Sequence, residues 1–193
     1  MSQELNENFA KDLYCHDSFE QRLHQKRSVK YVLQYINRNS KFEILDIGQR
    51  SPLTDAIEQA LNLKLDNTSG DLDFSVIAPK KSYDIVIYSH TIEHQFNPLY
   101  TLVEIYKLLK DDGMLFIMLP ERGKLLWDKG HYHEIDAYRF KELIERAGFS
   151  IVRKDTQTPW RNPFFYLTGL RPFMRLFLEK NANYILKKNI KKT

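Results

Sequence analysis

The sequence predicts an α/β fold, a doubly wound and mostly parallel sheet with helices on both faces. Three observations carry that prediction. Short apolar runs alternate with helix-periodic segments from residue 42 to about 156, the pattern of parallel strands joined by crossover helices. The run Ile85-Val86-Ile87-Tyr88 is apolar and largely β-branched, as a strand covered on both faces must be. Helix punctuation stands between the runs, with Asn97-Pro98 at a start and Gly148 past an end.

Residues 1–16 lack periodicity. Ser18 is expected to cap a leading helix that runs to about Asn37, because Val29, Val32, Leu33 and Ile36 fall at i, i+3, i+4 and i+7. Phe42 to Ile47 reads as a buried strand ending at Gly48. Residues 53–61 follow as a helix, and Leu63 to Asp66 as a second, short strand. After Ile85–Tyr88, a helix from Asn97-Pro98 carries Leu99, Leu102, Val103 and Tyr106 on one face and stops at Asp111-Asp112-Gly113. Met114 to Leu119 is a strand ended by Pro120. Asp136 caps a helix with Phe140, Leu143, Ile144 and Ala147 on its apolar face, and Phe149 to Val152 is the last clear strand. The chain divides into a helical extension (1–40), a core domain (41–157) and a basic, aromatic tail (158–193).

Composition narrows the function classes. The 193 residues are 42% hydrophobic and 28% charged, ordinary for a globular protein. Cys15 is the only cysteine, which excludes an internal disulfide, fits a reducing compartment and reads as an inert side chain. The first thirty residues hold no apolar signal core, and no run of about 18 apolar residues exists; a soluble, cytoplasmic protein is expected. Residues 160–193 hold eight Lys or Arg against one acid. That local +7 leaves the other 159 residues at −3 within the total of +4, so the core carries no nucleic-acid signature.

In such sheets ligands bind beyond the carboxyl ends of the strands, where strand order reverses. Asp46-Ile47-Gly48 ends the first strand with a residue that permits a tight turn. Asp66 lies twenty residues on, where an acid can take ribose hydroxyls. A simple turn and a strand-end cap explain the same spacing, so both readings stay open on it alone.

Five further stretches follow in order: Gly70-Asp71-Leu72-Asp73-Phe74; Tyr83-Asp84-Ile85-Val86-Ile87; His90-Thr91-Ile92-Glu93-His94-Gln95-Phe96-Asn97-Pro98; Leu108-Leu109-Lys110-Asp111-Asp112-Gly113; and the strand ending Leu119-Pro120. With the helix end Glu142 to Phe149, they resemble the Rossmann-like, S-adenosylmethionine-dependent methyltransferase family over residues 40–155. The resemblance implies S-adenosylmethionine as cofactor. Asp46 and Gly48, with Gln49, would frame its methionine end. Asp66, with Asn67, would hold the ribose. Asp71, Leu72 and Asp73 would border the adenine, and Ser89, His90 and Thr91 would line the sulfonium pocket.

The sequence departs from the family twice. Arg50 and Pro52 stand where further glycines are usual, which motivates an alternative reading as a catalytically degenerate binding or scaffold protein. Only 17 residues separate Asp66 from Asp84, so the second crossover helix is expected to shrink to a turn and the edge strand to be short.

Methyl transfer to a hydroxyl gains from a general base. Gly130-His131-Tyr132-His133-Glu134 follows the strand ending at Pro120, on the side of the sheet where ligands bind. His133 is the first choice, His131 the second and His94 the third. The same segment also reads as a lead-in to the helix at Asp136. His131, His133 and Glu134 are potential metal ligands, but no fourth ligand stands at a supporting spacing and no metal is predicted.

In the tail, aromatic and basic residues interleave from Trp160 to Leu178, and Lys187, Lys188, Lys191 and Lys192 close the chain. Three readings compete: packing over the sheet edge, a membrane-surface helix, and a dimer contact or acceptor lid. The acceptor is expected to be a small molecule or a glycan-type, lipid-linked compound, methylated on oxygen in preference to nitrogen.

Overall fold

The structure is a computed structural model and describes residues 19–36, 41–121, 130–133, 135–158 and 162–190. In chain order the regular elements are α1 (Phe19–Leu33), β1 (Ile44–Asp46), α2 (Pro52–Leu61), β2 (Asp66–Asn67), β3 (Tyr83–Ser89), α3 (Pro98–Leu108), β4 (Leu109–Glu121), α4 (Ala137–Arg146), β5 (Phe149–Gln157), α5 (Leu170–Leu178) and β6 (Lys180–Lys188). Single 3-10 turns lie at Ile92–His94 and Pro163–Leu167.

The strands form one sheet in the order β2-β1-β3-β4-β6-β5. β2, β1, β3 and β4 are parallel, and β6 runs antiparallel to both β4 and β5. From β1 the chain winds outward to β2, then crosses back to β3 and β4 on the other side. The order therefore reverses between β1 and β3, where open α/β sheets bind ligands.

Alternation along the strands splits the core into two layers. Val86 and Tyr88 of β3 pack with Leu102 and Ile105 of α3 and with Phe140 and Ile144 of α4. Ile85 and Ile87 pack on the opposite face with Ile57 and Leu61 of α2 and with Tyr31 and Val32 of α1. The helices start where their caps dictate. Ser51 and Thr54 form a reciprocal capping box ahead of Pro52. The Asn97 side chain accepts from the Tyr100 N–H, and Asp136 accepts from Tyr138 and Arg139 N–H. Past α4, Gly148 takes φ +91, and a Cβ there would meet the Tyr106 ring at 2.9 Å.

The doubly wound, mostly parallel sheet is the one the sequence predicts, as are the leading helix and the reduced second crossover. Between Asn67 and Tyr83 the described residues hold no helix, only a turn closed by a Ser69–Ile77 bridge, and β2 has two residues. The Ser18 cap, Cys15, Trp160, Glu134, Lys191 and Lys192 lie outside the described residues.

Three boundaries differ from expectation. The helix ends at Leu108, before Asp111-Asp112-Gly113, because Leu109 is buried and Lys110 pairs with Asp84 across β3 and β4 at 2.6 Å. β5 continues to Gln157, since β6 pairs with it along its length. Among the described residues the tail is helical only at α5 and the 3-10 turn before it; Lys180–Lys188 returns as an internal strand between β4 and β5, with Tyr184 opposite both Ile117 and Lys154. The sheet thus takes strands from both sides of residue 158. No described helix is long and apolar enough to cross a membrane.

Candidate functional site

The ends of β1, β2 and β3 converge on Asp46 and Gly48. Asp46 is buried, and the Thr54 hydroxyl at the start of α2 donates to its carboxylate at 2.5 Å. Burial pushes the Asp46 carboxyl up to about 7; hydrogen bonds from Thr54 and Asn67 and the Arg50 charge pull the other way and offset only part of it. Gly48 adopts φ +108, and its N–H donates to the Thr68 hydroxyl at 2.7 Å. A Cβ there would find only the Thr91 hydroxyl, at 3.9 Å. Gly48 therefore borders open space facing the exit of β3. The Asn67 amide reaches the Asp46 and Gly48 carbonyls, each at 3.4 Å, and Gln49 is exposed beside them. Arg50 turns away, paired with Asp55 and Glu58 of α2.

Asp66 is engaged on one side. Its Oδ2 accepts from the Tyr83 hydroxyl at 3.1 Å and lies 3.4 Å from Lys80 Nζ. Asp71 accepts from the Asp73 N–H at 3.1 Å in a local turn. Asp73 acts as a bracket, with its two oxygens accepting from the Phe96 and Asn97 N–H groups at 3.1 and 2.7 Å. The Leu72 carbonyl accepts from the Thr101 hydroxyl at 2.7 Å. The segment read as an adenine border is thus tied to the start of α3.

Beyond β3 the backbone is constrained. His90 takes φ +49, uncommon without a glycine, and its N–H donates to Met118 of β4 at 2.8 Å. The Ser89 carbonyl accepts from the Thr91 hydroxyl at 3.0 Å. The loop after β4 docks on the turn that follows. The Glu93 carbonyl accepts the Tyr132 and His133 N–H groups at 2.8 and 3.3 Å. His94 Nδ1 donates to the Gly130 carbonyl at 2.8 Å, and His133 Nε2 to the Phe96 carbonyl at 3.3 Å. Phe96 stacks on Tyr132, and the His94 and His131 rings meet edge to face at 4.8 Å between centroids. The three histidines chosen from sequence therefore stand on one wall. Glu93 is buried beneath it. Burial would raise its carboxyl, but the neighbouring His90 and His94 imidazoles outweigh that and hold it below the ordinary value.

A family model described as "Methyltransferase domain" matches residues 16–154. The chain belongs to that family. It is an S-adenosylmethionine-dependent methyltransferase with a Rossmann-like fold. Among solved structures, coclaurine N-methyltransferase bound to N-methylheliamine and SAH aligns with a TM-score of 0.63 at 14% identity, over 85% of this chain and 72% of that one. An S-adenosylmethionine dependent methyltransferase from Mesorhizobium loti aligns at 0.53 and 11% identity, over 84% and 96%. The 4+2 cyclase SpnF aligns at 0.59 and 16%, over 85% and 80%. At these identities the likeness speaks for the fold. No curated protein sequence matches the chain.

The residues of this methyltransferase fit its cofactor. Gly48 leaves a cradle that its φ keeps free of any L side chain. Carbonyls and the Asp46 carboxylate suit a cationic sulfonium and ammonium. Sequence reasoning missed Thr54 and Thr68, which hold Asp46 and Gly48, and Glu93, which anchors the histidine loop. The capping pair Ser51/Thr54 was the available signal for the first. Nothing in the local sequence links Glu93 to His131.

Proposed function

We propose that the methyltransferase methylates an oxygen of a small-molecule or glycan-type acceptor held between the Gly48 cradle and the wall of His131 and His133. One observation carries the reading: the loop 130–133 docks on Glu93, His94 and Phe96, in the turn that follows β3, which supports one of its imidazoles as the base. Asp46, Gly48 and Gln49 would hold the methionine end, Asp66 through Oδ1 and Asn67 the ribose, Asp71, Leu72 and Asp73 the adenine side, and Ser89, His90 and Thr91 the sulfonium surroundings. The bound cofactor supplies an electrophilic methyl group for in-line displacement, so the chain contributes mainly alignment. With Nε2 committed to the Phe96 carbonyl, His133 keeps the Nδ1 lone pair to accept the acceptor's proton. His131 and His94 are the alternative bases of the metal-free chain.

The finer reading of location is that α5 rests on an anionic membrane surface. Leu170, Phe173 and Phe177 are 77%, 48% and 63% exposed, whereas Arg175 turns inward to the buried Glu179 at 3.2 Å. A helix that turns Arg175 inward and exposes its apolar residues is laid out for an interface, and the exposed Arg171 beside them complements anionic lipid. A second copy of the chain is the competing occupant.

Incubation with methyl-labelled S-adenosylmethionine and a panel of hydroxylated glycosides, phenols and amines tests the acceptor class. Label on oxygen supports the reading, and label on amine nitrogen alone contradicts it.

A further inference from the structure

Glu93, His94 and His131 come from two segments that the fold closes on each other. Each offers one ligand atom, and the three lie within 4.8 Å of one another. Glu93 and His131 are 2% and 8% exposed. A carboxylate so buried needs partners for both oxygens. His90 approaches Oε1 at 3.5 Å, while Oε2 has no hydrogen-bond partner among the described residues. His94 donates from Nδ1 to the Gly130 carbonyl, which fixes the tautomer with its lone pair on Nε2. A hydrogen bond of that kind behind a ring is how metal-binding histidines are oriented.

We infer that Glu93, His94 and His131 form a binding site for a first-row divalent cation, Zn2+ foremost, beside the methyl-transfer crevice. Two imidazoles and one carboxylate match zinc and disfavour magnesium or calcium, which take oxygen ligands. Ligand arms of about 2.0–2.2 Å at tetrahedral angles place donor atoms about 3.3 Å apart, so the three groups need to close by roughly 1 Å or less each. Three protein ligands leave a fourth position open to water or to an acceptor oxygen. That role for the ion rests on the proposed function; the binding does not. His133, grouped with His131 in the sequence-based ligand set, is outside this one.

The test uses the full chain, freed of metal by chelator and titrated with ZnCl2 by calorimetry and with CoCl2 by visible absorption. One saturable site is expected, with micromolar or tighter affinity and ligand-field bands for cobalt. Saturating zinc is expected to raise the Tm by about 5 °C or more. Glu93→Gln and His131→Asn should each weaken binding at least tenfold, Glu93→Asp should retain part of it, and His133→Asn and Cys15→Ser should leave it unchanged. Circular dichroism checks that each variant folds, and the wild-type Tm shift needs no variant. Absence of saturable zinc binding at millimolar concentration overturns the inference, as does affinity unchanged in Glu93→Gln and His131→Asn. Because binding is read without methyl transfer, an inactive acceptor panel does not bear on it.

Discussion

The Thr54 hydroxyl donates to the Asp46 carboxylate at 2.5 Å, a bond that joins the start of α2 to the end of β1 at the floor of the crevice. Burial raises Asp46 to about 7 despite that bond. Between about pH 4 and 7 the folded chain keeps a proton the unfolded chain has released. Stability from this group is therefore full below about pH 4 and falls as pH rises to 7. Asp46→Asn should remove that slope and exceed wild type at pH 8 by up to about 4 kcal/mol in urea unfolding. An ammonium-bearing ligand favours the ionised acid. S-adenosylhomocysteine affinity should thus climb to about pH 7 and level off in wild type, without such a rise in Asp46→Asn.

Gly48→Ala separates backbone from space. The added Cβ meets only Thr91 at 3.9 Å, but φ +108 is closed to L residues. A loss of about 1–3 kcal/mol is expected, together with weaker cofactor binding as the turn relaxes. Thermal unfolding with and without S-adenosylhomocysteine reads both. Wild-type values in each would remove the cradle from the account.

Asp73 holds the Phe96 and Asn97 N–H groups. Asp73→Ala should cost about 1–3 kcal/mol and speed amide exchange at those two positions. Faster exchange should spread to Tyr132 and His133, whose N–H groups depend on the same turn through Glu93. Exchange confined to Phe96 and Asn97 would show that the histidine loop is held independently.

His133→Ala should lower kcat with a hydroxyl acceptor by roughly 10²–10⁴, with little change in KM. Loss of the acidic limb of the pH profile identifies a base; a fall in kcat with the limb intact does not.

For α5, replacing Leu170, Phe173 and Phe177 by Ser should abolish sedimentation with phosphatidylglycerol vesicles at low salt. Equal pelleting by both proteins removes the membrane reading, and a change from dimer to monomer in the variant instead identifies a second copy as the occupant. Deleting the chain after residue 158 is unsuitable, since it removes β6 from inside the sheet.

Sequence legibility follows from where the signals are local. β3 was readable because Ile85–Tyr88 is buried on both faces, and α3 and α4 because Asn97 and Asp136 cap as their positions suggest. β6 was not. Lys180, Asn181 and Asn183 dilute the pattern, and two of these, Asn181 and Asn183, are buried polar residues in a strand enclosed by neighbours. Its flanking lysines read as a solvated end. At the site, Asp46 and Gly48 stand out in sequence as residue types at the end of a strand, and the three histidines as candidate bases in loops. The approach of Glu93 to His131 does not, because it is set by the docking of the loop after β4 on the turn after β3. Asp73 stands out in sequence as an acid, but its two backbone bonds depend on where the β2–β3 crossover lands.

The cofactor crevice lies at the β1–β3 reversal, where Asp46 ends β1 and Gly48 follows it. Calorimetric titration of the full chain with S-adenosylhomocysteine at pH 7.5 tests it most directly. One saturable site is expected, with Kd below about 100 μM, that is, better than about −5 kcal/mol, weakened more than tenfold by Asp66→Ala and by Gly48→Ala. No saturable binding at about 1 mM would contradict it.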